Sequence, residues 1–289
     1  MRSALARSHR VGPMRLLTYR DRGTSRAARL DGELATELPF ADLGEILSAG
    51  ALESVRSATG PEHPVADLVL APPVLKPPKI ICVGQNYLAH IREQHIEVPK
   101  FPTLFSKWPL TLIGARDDVL LPVVSDQADW EVELAFYIAR PLRRATEAEA
   151  LKAIAGYTIL NDVSVRDWQR HTTQFLPGKN FESTTPVGPW MVTPEELDPL
   201  NLTIRCMVNG SVMQESNTKD FLFKPAQVAA YVSTFITLEP GDLVSTGTPA
   251  GVGDFRRPPI YLTPGSVMTT EIDGIGKLVN RCVMEGAPA

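Results

Sequence analysis

Three acids stand at alternate positions in Asp129-Trp130-Glu131-Val132-Glu133-Leu134-Ala135-Phe136-Tyr137-Ile138. In a strand, side chains alternate between faces, so Asp129, Glu131 and Glu133 share one face and Trp130, Val132, Leu134 and Phe136 share the other. Neighbours on the acidic face stand roughly 6.5–7 Å apart, close enough for repulsion unless solvent or a cation intervenes. Glu131 and Glu133 can therefore grip a hard divalent ion, with Mg²⁺ or Mn²⁺ the expectation, because such ions take oxygen donors and water. The same alternation is also the ordinary pattern of an antiparallel strand with a solvated polar side. Asp162, closing the strand-like run Gly156-Tyr157-Thr158-Ile159-Leu160-Asn161, is a candidate third ligand. An N-cap or an Asx turn accounts for it equally well.

A second constellation is Asn86-Tyr87-Leu88-Ala89-His90-Ile91-Arg92-Glu93, where a helical turn sets His90 and Glu93 side by side at i, i+3. A carboxylate beside an imidazole orients it and yields a base able to take a proton near neutral pH. An exposed pair of this kind is otherwise an ordinary surface contact of small worth. Thr246-Gly247-Thr248-Pro249-Ala250-Gly251-Val252-Gly253 is glycine-rich but lacks the Gly-Lys-Ser/Thr ending of a phosphate loop, which leaves a hairpin or turn.

The elements that must position these residues are mostly strands. From Met14 to residue 70 the chain reads as a small α/β unit, with strand-like MRLLTYR, a hairpin signal at Asp31-Gly32, and helical spacing over FADLGEILSAGALESV with Gly50 as its stop. Prolines through residues 71–79 mark a linker. Residues 80–285 carry short β-type runs, IICVG, TLFSKW, DVLLP, WEVELAFYIA, GYTILNDVSV, LTIRCMVNG, DLVSTGT and VMTTEI. Helices are expected at EAEALKAIAG and KPAQVAAYVSTFITL, so the fold class is α+β and β-rich.

At 289 residues, with 44% hydrophobic and 21% charged residues, the chain has ordinary globular composition and room for a large core. A net charge of −4 gives no drive toward phosphate backbones, so nucleic acid is not an expected partner. No apolar run reaches the roughly 20 residues that cross a bilayer, so no membrane partner is expected. Cys82, Cys206 and Cys282 show neither zinc nor disulfide spacing, which fits a reducing cytoplasm. Residues 1–13 are Arg-rich and free of acid but lack the apolar stretch of a secretory signal; they read as a disordered extension or upstream start, with a transit peptide the alternative.

Six segments in order, GQNYLAHIRE, DWEVELAFYIA, GYTILNDVSVRDWQ, LPGKNF, VNGSVMQ and GDLVSTGTPAGVG, resemble the fumarylacetoacetate hydrolase family from Lys79 to Val283. The N-terminal unit is similar to the accessory domain of many bacterial members. The resemblance implies a mixed β-sandwich roll, a homodimer, and one Mg²⁺ or Mn²⁺ per subunit on Glu131, Glu133 and Asp162, with Asp129 an added neighbour rather than a ligand. It implies His90 as base with Glu93 as its partner on a mobile lid, and Lys179 facing the substrate, where a cation stabilises an enolate. Arg166, Gln169 and Thr248 match substrate-binding positions, Arg suiting a carboxylate through its fork. Phe105-Ser106-Lys107-Trp108-Pro109 departs from the Lys-Pro of many relatives. Trp108 then either shapes the pocket or packs against core or dimer partner.

The implied function is metal-dependent hydrolysis of a C–C bond in a 1,3-diketo or 2-oxo acid, acylpyruvate or fumarylacetoacetate-like, in the catabolism of aromatic compounds. Decarboxylation of a 2-oxo diacid and isomerisation of a 2-hydroxydienoate pass through a similar enolate and stay open. A non-catalytic acid-binding protein on the same scaffold is the rival of another class; it has no evident need for a base.

Overall fold

Runs of β-branched and aromatic residues bounded by Gly and Pro supply most of the strands. In the computed structural model, which describes residues 14–286, these are β1 (Arg15–Asp21), β2 (Thr24–Asp31), β3 (Leu34–Glu37), β4 (Ile80–Gly84), β5 (Thr103–Ser106), β6 (Val119–Leu121), β7 (Val132–Ile138), β8 (Ile154–Asn161), β9 (Thr185–Val192), β10 (Thr203–Val208), β11 (Ser211–Asn217), β12 (Leu243–Ser245), β13 (Val267–Ile272) and β14 (Gly276–Met284). The extension expected at residues 1–13 lies outside the described residues.

Two sheets form the body. The larger runs β3-β2-β1-β9-β8-β7-β12-β4-β5, and the smaller runs β11-β10-β13-β14-β6. β1 pairs antiparallel with β9, Arg15 opposite Val192, so the N-terminal hairpins continue the sheet that holds the acidic strand. β7 is buried along its whole length. Val132, Leu134 and Phe136 share an apolar core with Ile204 of β10 and Met268 of β13. Ala135 and Tyr137 join a second core with Leu16 and with Leu43 and Ile46 of α1 (Leu43–Ser48). Full burial of such a side chain stabilises by roughly 1.5–3 kcal/mol, so a strand sandwiched this way is a rigid platform.

Helices are few and short: besides α1, α2 (Leu88–Glu93), α3 (Arg166–Gln169), α4 (Leu176–Lys179) and α5 (Pro225–Ser233) concern the site or its surroundings. Gly50 stops α1's segment with φ of +63°, after which a separate turn of helix covers Leu52–Val55. The helix expected over EAEALKAIAG ends at Leu151, because Ile154 is taken into β8 opposite Ile138 of β7. α5 likewise ends at Ser233, and Leu238 pairs instead with Leu142. Trp108 is 55% exposed, so it packs into no core; it lines a separate groove with Pro77, Phe235 and Ile236. No described helix is long and apolar enough to cross a membrane.

Candidate active site and metal centre

The register of β7 against β8 sets the acids together. Val132 stands opposite Asn161 and Glu133 opposite Leu160, and the Asp162 N–H donates to the Glu131 carbonyl at 2.9 Å. One carboxylate oxygen each from Glu131, Glu133 and Asp162 lies within 4.8 Å of the others, and all three residues are buried. Burial excludes the solvated-face reading of the acidic strand. Glu133 is held by the Ser245 hydroxyl and by the Gly247 N–H at 2.9 Å. Gly247 has φ of +90°, and a Cβ there would meet the Val83 carbonyl at 2.8 Å, so only glycine brings that N–H to the carboxylate.

Asp129 does not share the face of the other two, because the strand breaks between it and β7, and Ala128–Asp129 pairs separately with Ser164–Val165. It accepts from the N–H groups of Trp130, Gly253 and Asp254 at 2.8, 2.7 and 3.0 Å, and from Arg166 Nε at 2.8 Å. Asp129 is thus the anchor that joins Arg166 to the 251–254 loop. Burial pushes its carboxyl up, against the pull of Arg166 and the backbone N–H groups.

Three buried cations answer these acids. Lys179 Nζ donates to Glu131 at 2.7 Å and to Asp162 at 2.8 Å. α4 delivers it by pressing on α3: a Cβ on Gly178 would lie 2.5 Å from Gln169 Cβ, so glycine permits the approach. Arg166, opening α3, reaches Glu131 and Gln169 through Nη1 at 2.8 and 2.9 Å. Lys107, which the sequence reading left out of the site, donates to the other Asp162 oxygen at 2.7 Å. It sits just past β5 and reads in sequence as any lysine; only the β4–β5 pairing carries it under the acids.

Four carboxylates therefore face three cations, and the strain of the surplus falls on Glu133. Burial, then the neighbouring Asp162 and Glu131, push its carboxyl well above the ordinary range. Glu131 goes the other way: burial raises it, but Lys179 and Arg166 outweigh that and hold it at about 2. Three converging oxygen donors with one unmatched negative charge fit a hard divalent ion, which would take the place of the Glu133 proton.

His90 and Glu93 do meet. Nδ1 of His90 lies 2.8 Å from Glu93 Oε2, and the Gly251 N–H donates to Glu93 Oε1 at 3.1 Å. The His90 ring is buried and edges the Phe255 ring at 6.0 Å. Gln94, also absent from the sequence reading, lies 2.5 Å from His90 Nε2 through its amide nitrogen. A cleft of about 370 Å³ brings His90, Gln94, Glu131, Glu133, Arg166 and Lys179 onto one surface, with Gln169 and Thr248 also on its wall. The Thr248 hydroxyl is engaged with the Val132 carbonyl and Gln214, at 3.0 and 2.8 Å. A ligand contact at Thr248 would therefore fall to its backbone N–H rather than to its hydroxyl. Arg166 Nη2 is buried with no hydrogen-bond partner among the described residues.

Known proteins carry the same arrangement of chain. The family described as fumarylacetoacetate (FAA) hydrolase C-terminal matches residues 79–283. The oxaloacetate tautomerase FAHD2A, mitochondrial, of Bos taurus is 42% identical over 254 residues, which is 86% of this chain and 80% of that protein. The fumarylacetoacetate hydrolase from psychrophilic Exiguobacterium antarcticum superposes with a TM-score of 0.86 at 33% identity, covering 94% of this chain and 100% of the other. The 2-hydroxyhepta-2,4-diene-1,7-dioate isomerase from Mycobacterium marinum gives 0.79 at 33% identity, covering 94% and 99%. With the β-rich fold, the ordered motifs and the buried acidic triad in agreement, this chain belongs to the fumarylacetoacetate hydrolase family.

Proposed function

We propose that the chain is a divalent-metal-dependent enzyme that moves a proton between carbon and oxygen in a small 2-oxo diacid, the reaction type named in its bovine relative. The observation that carries this reading is that His90, backed by Glu93, lines the same cleft as Glu131, Glu133 and Lys179, with Asp162 clustered behind the two glutamates. Mg²⁺ or Mn²⁺ on those three carboxylates would polarise the oxygens of a bound 2-oxo acid. Arg166 receives a carboxylate through its unpartnered Nη2, and Arg170, on the same cleft wall, suits a second one. His90 takes the proton from the carbon beside the keto group while Glu93 steadies the ring. Lys179 stabilises the negative oxygen that results, and the proton His90 has taken passes to that oxygen through solvent, completing the enol and restoring the base. The working assembly is a homodimer in a reducing compartment, which sedimentation of the purified chain would test.

The test follows the enol absorbance of oxaloacetate with purified protein and added Mg²⁺ or Mn²⁺. Equilibration faster than in buffer holding the same metal without protein, with the protein's increment lost on chelation, is expected; a rate no faster than that control overturns the reading. A second reading, hydrolysis of a C–C bond in an acylpyruvate or fumarylacetoacetate-like acid, is favoured by one observation. The His90–Glu93 pair is equally suited to activating water, and the Exiguobacterium antarcticum fold match bears that activity in its name. Two acid fragments from an acylpyruvate would establish it, CO₂ from oxaloacetate would mark a decarboxylase, and an isomer of unchanged mass from a 2-hydroxydienoate would mark an isomerase.

A further inference from the structure

The two nitrogens of His90 have partners of opposite kind. Glu93, which also accepts the Gly251 N–H, is placed as an acceptor at Nδ1, so the ring proton belongs there. At Nε2 the amide nitrogen of Gln94 approaches to 2.5 Å, and an amide NH₂ can only donate. A donor at Nε2 requires a lone pair on that atom, the state a base must be in before substrate arrives. Gln94 caps α2 and is half-buried, so its side chain is held on the cleft wall by a helix that also carries His90 and Glu93.

We propose that Gln94 is a positioning residue for the base: by donating to His90 Nε2 it keeps that nitrogen bare and turned into the cleft. The inference rests on the reading of His90 as the proton-transfer base. Other charged groups in the cleft pull both ways. The cleft wall carries Glu131, Glu133 and Asp254 as well as Lys179, Arg166 and Arg170. Glu93 meets the ring at its other nitrogen. Gln94 meets Nε2 directly, and so tips the balance at the atom that reacts. Replacing its NH₂ by an acceptor of the same shape invites a second ring proton and removes the base.

The test is long-range ¹H–¹⁵N spectroscopy of the full chain loaded with Mg²⁺, comparing wild type, Q94M and Q94E near neutral pH. The wild-type ring is expected to carry a proton on Nδ1 and none on Nε2; Q94M gains protonation at Nε2, and Q94E carries protons on both. In parallel, kcat for oxaloacetate falls about tenfold in Q94M, the worth of one hydrogen bond. It falls further in Q94E, whose loss recovers as pH is raised, which a merely structural defect would not do. A wild-type ring protonated at Nε2, or a Q94M spectrum identical to wild type, overturns the proposal. If Q94E does not fold, Q94M alone decides. Should oxaloacetate not turn over while the nitrogen pattern follows this order, the reaction falls and the role of Gln94 stands.

Discussion

Lys107 Nζ lies 2.7 Å from Asp162 Oδ1, and neither side chain reaches solvent. An ion pair so enclosed gains little over an apolar pair of the same volume, but breaking one half of it strands a charge. Lys107→Met would leave Asp162 with Lys179 alone, at 2.8 Å on its other oxygen. The metal-free protein is expected to lose about 3 kcal/mol of stability, the lower end for a broken buried pair because one partner survives. Urea unfolding with chelator present reads this directly, and an unchanged midpoint would show that Lys107 is not needed to compensate Asp162.

The raised Glu133 carboxyl makes metal binding and pH interdependent. Its ordinary value is 4.5, and the folded, metal-free protein holds the proton to higher pH than the unfolded chain does. The native state therefore binds more protons across that window, so metal-free stability falls as pH rises from 4.5 toward the folded value. A divalent ion held by Glu133 would displace the proton, so its affinity is expected to rise over the same window and its binding to release a proton. Calorimetry in buffers of different ionisation enthalpy would count it. Glu133→Gln, which mimics the neutral acid and can still accept from Ser245 and Gly247, is expected to fold as well without metal and to bind metal poorly. No proton release in wild type would contradict this account of Glu133.

His90→Ala would separate the proposed base from the proposed metal site. His90 contributes no ligand to the acidic triad, so Mn²⁺ affinity should stay at the wild-type level. Turnover of oxaloacetate should fall by about 10²–10⁴, the usual share of a general base. Undiminished turnover would remove His90 from the mechanism, and lost metal affinity would mean that it shapes the triad instead.

What the sequence revealed of this site follows from how local each signal is. Alternation along residues 130–136 sorts the apolar face from Glu131 and Glu133 without any tertiary information, and the structure keeps that sorting. The spacing of His90 and Glu93 on one helical turn is equally local. Whether the acidic face is wet or buried depends on α3, α4 and the end of β12, which bring Arg166, Lys179, Ser245 and Gly247 onto it and which the strand itself does not encode. Lys107 lies 55 residues from Asp162, and Gln214 meets Val132 from the other sheet, 82 residues away, so both contacts arise only from the tertiary fold. Gln94 stands one residue past the helical segment and is within local reach: a residue at i+4 from His90 meets the same face as Glu93 at i+3. The continuity of β1 with β9 lay beyond reach, since a pairing across most of the chain leaves no mark in either strand.

Asp129 offers the sharpest separation of substrate binding from metal binding. Its two oxygens accept from four donors: Trp130 and Gly253 on Oδ1, and Asp254 and Arg166 on Oδ2. An asparagine must turn its NH₂ toward one of those pairs, facing donor with donor, and each donor left unmatched costs about 1–3 kcal/mol. Since Gly251 in the same loop donates to Glu93, Asp129→Asn is expected to loosen both Arg166 and the support of the His90–Glu93 pair. Asp129 bonds Trp130, Gly253, Asp254 and Arg166 rather than a residue of the acidic triad, and Glu131 keeps Lys179. Metal affinity should therefore change little, while KM for a dicarboxylate rises at least about tenfold, the worth of one charge-assisted bond to Arg166. A monocarboxylate 2-oxo acid that lost as much as the diacid would place Arg166 on the carboxylate common to both. A KM unmoved for either would show that Arg166 holds its place without Asp129.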